Sequence, residues 1–512
     1  MSRLQGFIGT GVLALALIAA AWLWLRPASP APRANDDRLV IAMASDVATL
    51  DPHMTAAVGG DLSILSHIYP SLIVRRPDLS LQPGVAASWE AVSPTRWRFH
   101  LVSDARFANG ERLDADAVKW NLERVLDPAT RARIRLWFEP VSAVTAVDRL
   151  TLDIETREPF PSLPAQLSML FLLPPDWSRT HDPARETLSG GPYELVENAP
   201  GERLTLRRNP KYWGPTPAFE TVEFRTIPSA TARVAALLAG EVDLIINIPL
   251  AEVARIQAGG KALAGSIPSI RSVFIKLNTL KPPLDDVRVR QALNLAIDKQ
   301  ALSDALFGGQ AMVSPCQLLT PAYPGFNPAL KPTPYDPDRA RALLREAGVV
   351  PGTRLEFEVP VNYTLQGEEV AQVVAGQLQA IGLDVRLTQM DSSFYMDKFV
   401  KGRALGALSL LTHAWPTIDA DGLLSLLHSQ SPYAYYDDPT LDRLLVAGRT
   451  TLDPTARAEV YRQATAHLCE QAPVLFLYAQ PYTYATSSRI RWAARGDDWL
   501  RAMDVSRATP GS

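Results

Sequence analysis

Apolar and polar positions along this chain follow two rhythms, one of strands and one of helices, and their alternation reads as α/β. From Arg38 the run LVIAM is continuous in apolar side chains, which predicts a strand buried on both faces and central in a sheet. Residues 222–246 (VEFRTIPSATARVAALLAGEVDLII) read as strand, helix, strand. Ser229 is placed to cap the helix, Val234, Leu237 and Leu238 form its apolar stripe, and Gly240 suits the left-handed stop. Two strands joined in this way lie parallel with a right-handed crossover. The second half repeats the grammar. In YDPDRARALLREAG (335–348) Asp336 caps a helix, Pro337 takes its first position, Leu343 and Leu344 face inward and Gly348 ends it. Leu355, Phe357, Val359 and Val361 then alternate with polar neighbours as a strand. A helix over about 368–381 runs to Gly382, and Leu383, Val385 and Leu387 make the next strand.

Between these units lie further strand signals at 95–102, at Leu150, Leu152 and Ile154, and in YELVEN and ERLTLRR around Ala199-Pro200-Gly201, the last pair a hairpin. One amphipathic helix, 114–126, carries Val118, Leu122 and Val125 on one face and ends at Asp127-Pro128. No repeat of fixed period is present.

The first 37 residues follow neither rhythm. Residues 7–25 are almost purely apolar, and at 1.5 Å each they span roughly 28 Å, enough for a bilayer core. This predicts a signal peptide or a membrane anchor over 1–26, with Ala19-Ala20-Ala21 as a cleavage site in the first case. A proline-rich tether, 27–37, follows. Either reading puts the body outside the cytoplasm, free in the periplasm or tethered to the inner membrane by residues 7–25. No cysteine lies near this segment, which excludes lipid attachment there.

Composition narrows the picture. A chain of 512 residues exceeds what a single core holds, so at least two lobes are expected. Its net charge of -3 lacks the basic field that carries non-specific nucleic-acid binding. Proline, at 42 residues, is frequent enough to predict many rigid connections. The two cysteines, Cys316 and Cys469, exclude four-cysteine zinc sites and disulfide-dense scaffolds. Two separate buried thiols are the first reading, and a single disulfide in an oxidising compartment the second.

Catalytic motifs are absent: no G-x-S-x-G, H-E-x-x-H, Walker loop or G-x-G-x-x-G occurs. The seven histidines (53, 67, 100, 181, 413, 428 and 467) never fall three or four apart, so no helical metal pair forms. The chain reads as no enzyme and as needing no cofactor.

The order of several segments carries a resemblance: ATLDPH (48–53), LQPGVAASWE (81–90), WRFHLVSDARFANGERLDADAVKWNLERVLDP (97–128), GGPYELVE (190–197), LRRNPKYWG (206–214), AALLAGEVDLI (235–245), LDDVRVRQALNLAIDKQAL (284–302), YDPDRARALLREAG (335–348) and APVLFLY (472–478). Together they resemble the family 5 extracellular solute-binding proteins of ABC importers, which bind peptides, oligopeptides or nickel chelates. The resemblance implies a two-lobed α/β periplasmic-binding-protein fold (type II, with an inserted extra subdomain), with mixed sheets flanked by helices and a hinge of crossing strands. Lobe I would span 38–272 with an insert at about 81–185, lobe II 273–484, and 485–512 would return to lobe I. Residues 271–279 and 482–488 would carry the crossings. Such a protein would work as a monomer, closing over a peptide-like solute and delivering it to ABC permease subunits.

The resemblance also nominates binding residues. Family peptide binders pair the ligand's amino group with an aspartate shortly after a cleft tryptophan; here Trp415 fits the aromatic, Ile418 stands where the acid is expected, and Asp419 is one residue further on. Its competing role is a helix cap. Arg131, Arg133 and Arg135 precede Trp137 in a segment that reaches the cleft in related proteins, where they would hold an anion. Arg271 on the proposed crossing strand is a similar candidate. Thr49 and His53 flank a turn that the family places near the cleft mouth. Tyr436, beside Tyr433 and Tyr435, would stack on ligand unless these strand-like positions pack in the core. The competing functions are a membrane-tethered peptide hydrolase or amidase, a sensor or chaperone that binds peptides, and a binder of a nickel chelate or haem.

Overall fold

A computed structural model describes residues 37–508 apart from 261 and 402; the apolar segment 7–25 and all of the tether except Asp37 lie outside them. Among the described residues no helix is long and apolar enough to cross a membrane.

One sheet of eleven strands runs through the molecule. Its two central strands, Ala262–Leu277 and Val474–Ser487, are antiparallel and long. Sixteen residues at about 3.3 Å each give the first a reach of roughly 50 Å, enough to belong to both halves of the molecule. Near one end these strands adjoin Leu244–Ile246, which leads through Arg38–Met43 and Thr221–Thr226 to the hairpin Arg203–Arg208 and Tyr193–Ala199. Near the other end Leu408–His413 pairs with Ser272–Leu277 and leads to Arg354–Pro360 and Asp384–Met390. The crossing strands feed both cores: Leu475 and Leu477 pack with Val359 and Leu378, whereas Tyr482 packs with Ile41 and Phe224.

At the waist the ladder is broken. Pro268 stands opposite Pro481, and neither has an N–H to donate, so the register slips between Pro268 and Ser272. The Ile270 amide donates instead to the Gly496 carbonyl at 2.8 Å, drawing the returning segment 495–498 against the bulge. Gly496 permits this approach, since a Cβ there would lie 2.9 Å from the Pro268 carbonyl oxygen.

The α/β units follow their punctuation. Ser229 caps Ala230–Leu238 through the Ala232 amide, and Gly240 sits at φ 75°. The flanking strands Thr221–Thr226 and Leu244–Ile246 are parallel, with Arg38–Met43 inserted between them, which is why that strand is apolar throughout. Asp336 caps Pro337–Glu346. Arg354–Pro360 and Asp384–Met390 pair in parallel around the helix Gly367–Ala380. A separate antiparallel sheet, in the order Ala86–Ser93, Arg96–Leu101, Thr151–Thr156, Val141–Asp148, packs on Ala115–Leu126 with its own core of Phe99, Leu122 and Ile154.

Two expectations are corrected. Cys316 and Cys469 form a disulfide rather than two thiols, because the helix Pro454–Gln471 lies against the loop carrying Cys316 and brings the Cα atoms to 5.3 Å. Tyr433, Tyr435 and Tyr436 lie on no strand; Ser431 turns the chain, and the segment runs irregularly to the cap at Asp438.

Candidate functional site

Parallel strands present their carboxyl ends to open space, and in α/β sheets ligands gather there. Leu244–Ile246 ends at Asn247 and Arg354–Pro360 leads to Asn362, and both residues line one cavity of about 1040 Å³ at the waist. Tyr363 and Gln366 join from the second half, Gln480 and Thr483 from a crossing strand. A smaller cavity of about 350 Å³ is lined by residues 56–59, Ala414 and Pro416. Arg271 and Asp498 line both.

The larger cavity is a place of backbone strain. Asn247, Asn362, Gln366 and Asp498 adopt φ between 52° and 65°, a region that non-glycine residues enter rarely and that concentrates at functional sites. Tyr482 also lines this cavity, and its buried hydroxyl has no hydrogen-bond partner among the described residues. Gly59 packs directly on Asp498, where a Cβ would come within 3.2 Å of the aspartate's own.

Arg271 and Asp498 form an ion pair of one-sided geometry. Nε donates to Oδ2 at 3.0 Å and Nη2 donates to the same oxygen. The arginine side chain is 40% exposed and the aspartate 14%. Burial works against the guanidinium charge, but the attraction and hydrogen bonds of Asp498 outweigh it and hold the pKa above its ordinary value.

Of the residues nominated from sequence, Arg271 alone lines either of these cavities. Trp415 lies between two residues that line the smaller one. Its amide donates to the Tyr323 hydroxyl at 2.9 Å, and its indole covers Gly422, where a Cβ would lie 2.2 Å away. Asp419 is committed elsewhere: both its oxygens accept from Arg457, at 2.7 and 2.8 Å, and one caps the helix Ala420–Leu424. The pair is buried, 7% and 11% exposed, which leaves this carboxylate no open face for an amine. His53 is fully buried; Nε2 donates to the Phe171 carbonyl, and Nδ1 accepts from Arg124, itself paired with Asp51. Thr49 accepts from the Asp51 amide in the same turn. Arg131 and Arg135 are exposed, and Trp137 packs half-buried between two cores. The Tyr436 hydroxyl bonds to Asp438, with Arg290 over its ring.

Sequence reasoning missed Asn247, Asn362, Tyr363, Gln366, Gln480, Thr483 and Asp498. Asn247 and Asn362 had a signal, their place just beyond predicted parallel strands. Asp498 had none, since it reaches the waist only through the packing of a carboxyl-terminal loop.

A family model described as bacterial extracellular solute-binding proteins, family 5 Middle, matches residues 80–435. The nickel-binding periplasmic protein of Escherichia coli (strain K12) is 28% identical over 492 residues, covering 90% of this chain and 91% of its own. Glutathione-binding protein GsiB of Shigella dysenteriae is 26% identical over 502 residues, covering 94% and 95%. Among solved structures, HbpA2 from Haemophilus parasuis superposes with a TM-score of 0.84 at 22% identity, over 92% of this chain and 100% of that one. The periplasmic binding protein DppA from Helicobacter pylori, in complex with the peptide STSA, gives 0.75 at 22% identity over 92% and 98%. The likeness to these two structures shows a shared two-lobed fold.

Proposed function

The chain belongs to the family 5 bacterial extracellular solute-binding proteins, and on that premise we propose that it is the binding subunit of an ABC importer, capturing a peptide-like solute in the waist cleft and handing it unchanged to the permease. One observation carries this reading: the larger cavity opens between the halves at strand carboxyl ends, and amide and hydroxyl side chains dominate its polar lining. Such groups exchange hydrogen bonds with peptide backbone, while the remaining volume accepts varied side chains and water. The strands crossing beneath the cleft are unlaced at Pro268 and Pro481, which suits a hinge. Solute then closes the halves only by as much as it prefers the closed form.

The division into 38–272, 273–484 and 485–512 belongs to this proposal, as do a monomeric state and a membrane tether at 7–25. Extracytoplasmic placement agrees with the family and with the disulfide. Binding roles for Thr49, His53, Arg131, Arg135, Trp137, Trp415 and Tyr436 would have to act from outside the linings of the two waist cavities.

The test is mass spectrometry of solute released from protein purified out of the periplasm, with peptide mixtures incubated in parallel. A peptide-like solute and intact peptides are expected. Cleaved peptides would establish the hydrolase alternative. Bound metal would favour the nickel-chelate reading, which the 28%-identical nickel-binding relative keeps in play.

A further inference from the structure

A charged solute entering this cleft must find its counter-charge, and few groups supply one. In the lining of the larger cavity Arg271 and Asp498 are the charged residues. The smaller adds Asp497, whose oxygens are taken by Arg495 at 3.0 and 2.8 Å. Asp419, the sequence candidate for an amine, is held by Arg457.

The Arg271–Asp498 pair is left half-open by its own geometry. Two guanidinium donors, Nε and Nη2, converge on the single oxygen Oδ2. Among the described residues no hydrogen bond reaches Oδ1 of Asp498 or leaves Nη1 of Arg271, and both residues line both cavities. A lone ammonium would have to pull Asp498 from its arginine, and a lone carboxylate would have to pull Arg271 from its aspartate. Either would leave an unbalanced charge in a partly desolvated site. A solute with both charged groups attached to one carbon meets Oδ1 and Nη1 together and closes a ring of alternating sign with no net charge added.

We infer that the Arg271–Asp498 pair is the charge-reading element of the cleft, and that the solute carries an ammonium and a carboxylate on one carbon, as in an α-amino-acid head group. This rests on the solute-binding reading and narrows it. The head docks at the waist, and the rest of the solute extends into the larger cavity. A linear peptide with both termini free at its two ends places its charges too far apart to satisfy the pair.

The experiment is isothermal titration of the full chain, stripped of solute by unfolding and refolding, with two isomeric dipeptides. γ-Glutamyl-alanine carries both charges on one carbon, whereas in α-glutamyl-alanine the amino group and the nearest free carboxylate are separated. The γ isomer is expected to bind at least tenfold more tightly, with the preference lost in Asp498→Asn and in Arg271→Gln. The isomer comparison uses unaltered protein, so it stands even if a variant misfolds. Equal binding, preference for the α isomer, or a preference retained in both folded variants overturns the inference while the importer reading survives. If neither isomer binds, the solute released from the purified protein decides: one with an α-amino-acid head, absent from preparations of the folded variants, supports the inference, and any other solute overturns it. If no solute is released and none binds, the importer reading falls and this inference with it.

Discussion

At residue scale, the side chains that look most like ligand groups serve as struts. His53 and His67 are both completely buried and neutral: His67 accepts the Ala502 amide at Nε2 and donates from Nδ1 to the Ser63 carbonyl. Burial lowers their pKa values from 6.5 to about 4 and about 3. Between pH 6.5 and 4 the unfolded chain therefore binds protons that the native chain refuses, and stability falls as pH falls through that window. Each such histidine contributes a slope of about 1.4 kcal/mol per pH unit. Urea unfolding at pH 7, 6 and 5 should show this loss, and His67→Gln should make it shallower. Asp419 gives the second expectation. Asp419→Asn leaves Arg457 buried without its counter-charge, so it should cost about 3 kcal/mol of stability. Solute affinity of the folded variant should stay within twofold, as measured by denaturant titration and calorimetry on one preparation.

At the scale of elements, caps and breakers decide where structure begins and where it yields. Ser229 and Asp336 each cap the helix their position announced, and Asp114, read from sequence as the first residue of its helix, caps Ala115–Leu126 instead. Pro268 and Pro481 do the opposite, interrupting a ladder whose sequence is otherwise strand-like from end to end. The Cys316–Cys469 disulfide joins an irregular loop to the helix Pro454–Gln471 across 153 residues. A cross-link closing so long a loop removes much freedom from the unfolded chain, worth up to about 5 kcal/mol. Thiol titration in denaturant should find no free thiol before reduction and two after it. The reduced protein should unfold at lower denaturant while keeping its far-ultraviolet circular dichroism.

For the whole molecule, the relation of the halves is the functional variable. Arg75, on the strand Ile73–Arg75 of the first half, donates to the Thr417 carbonyl of the second at 2.7 Å. It also holds the Leu79 carbonyl at 2.7 Å, and Leu79 at the hairpin tip packs against the second half's core. This clasp ties the two halves together through protein groups. Arg75→Ala removes a charge-assisted hydrogen bond worth about 1.5–3 kcal/mol. The solute-free variant should therefore show a larger radius of gyration in X-ray scattering. Its apparent affinity should be roughly tenfold weaker, because closed molecules become scarcer. An unchanged scattering curve would mean that the clasp does not govern closure.

Local chemistry written in the chain determined the α/β units, their caps and stops, the hairpin and the membership of a solute-binding family. These depend on periodicity and on single residues acting on their own neighbours, which a sequence displays directly. The cysteine pairing, the commitment of Asp419 to Arg457 38 positions away, and the meeting of Arg271 with Asp498 227 positions away were decided by tertiary structure alone. A charged side chain takes whichever partner the fold brings within reach, and chain-wise spacing carries no record of that distance. The binding cleft itself is of this kind, since it is the gap left between two halves and no single segment encodes it.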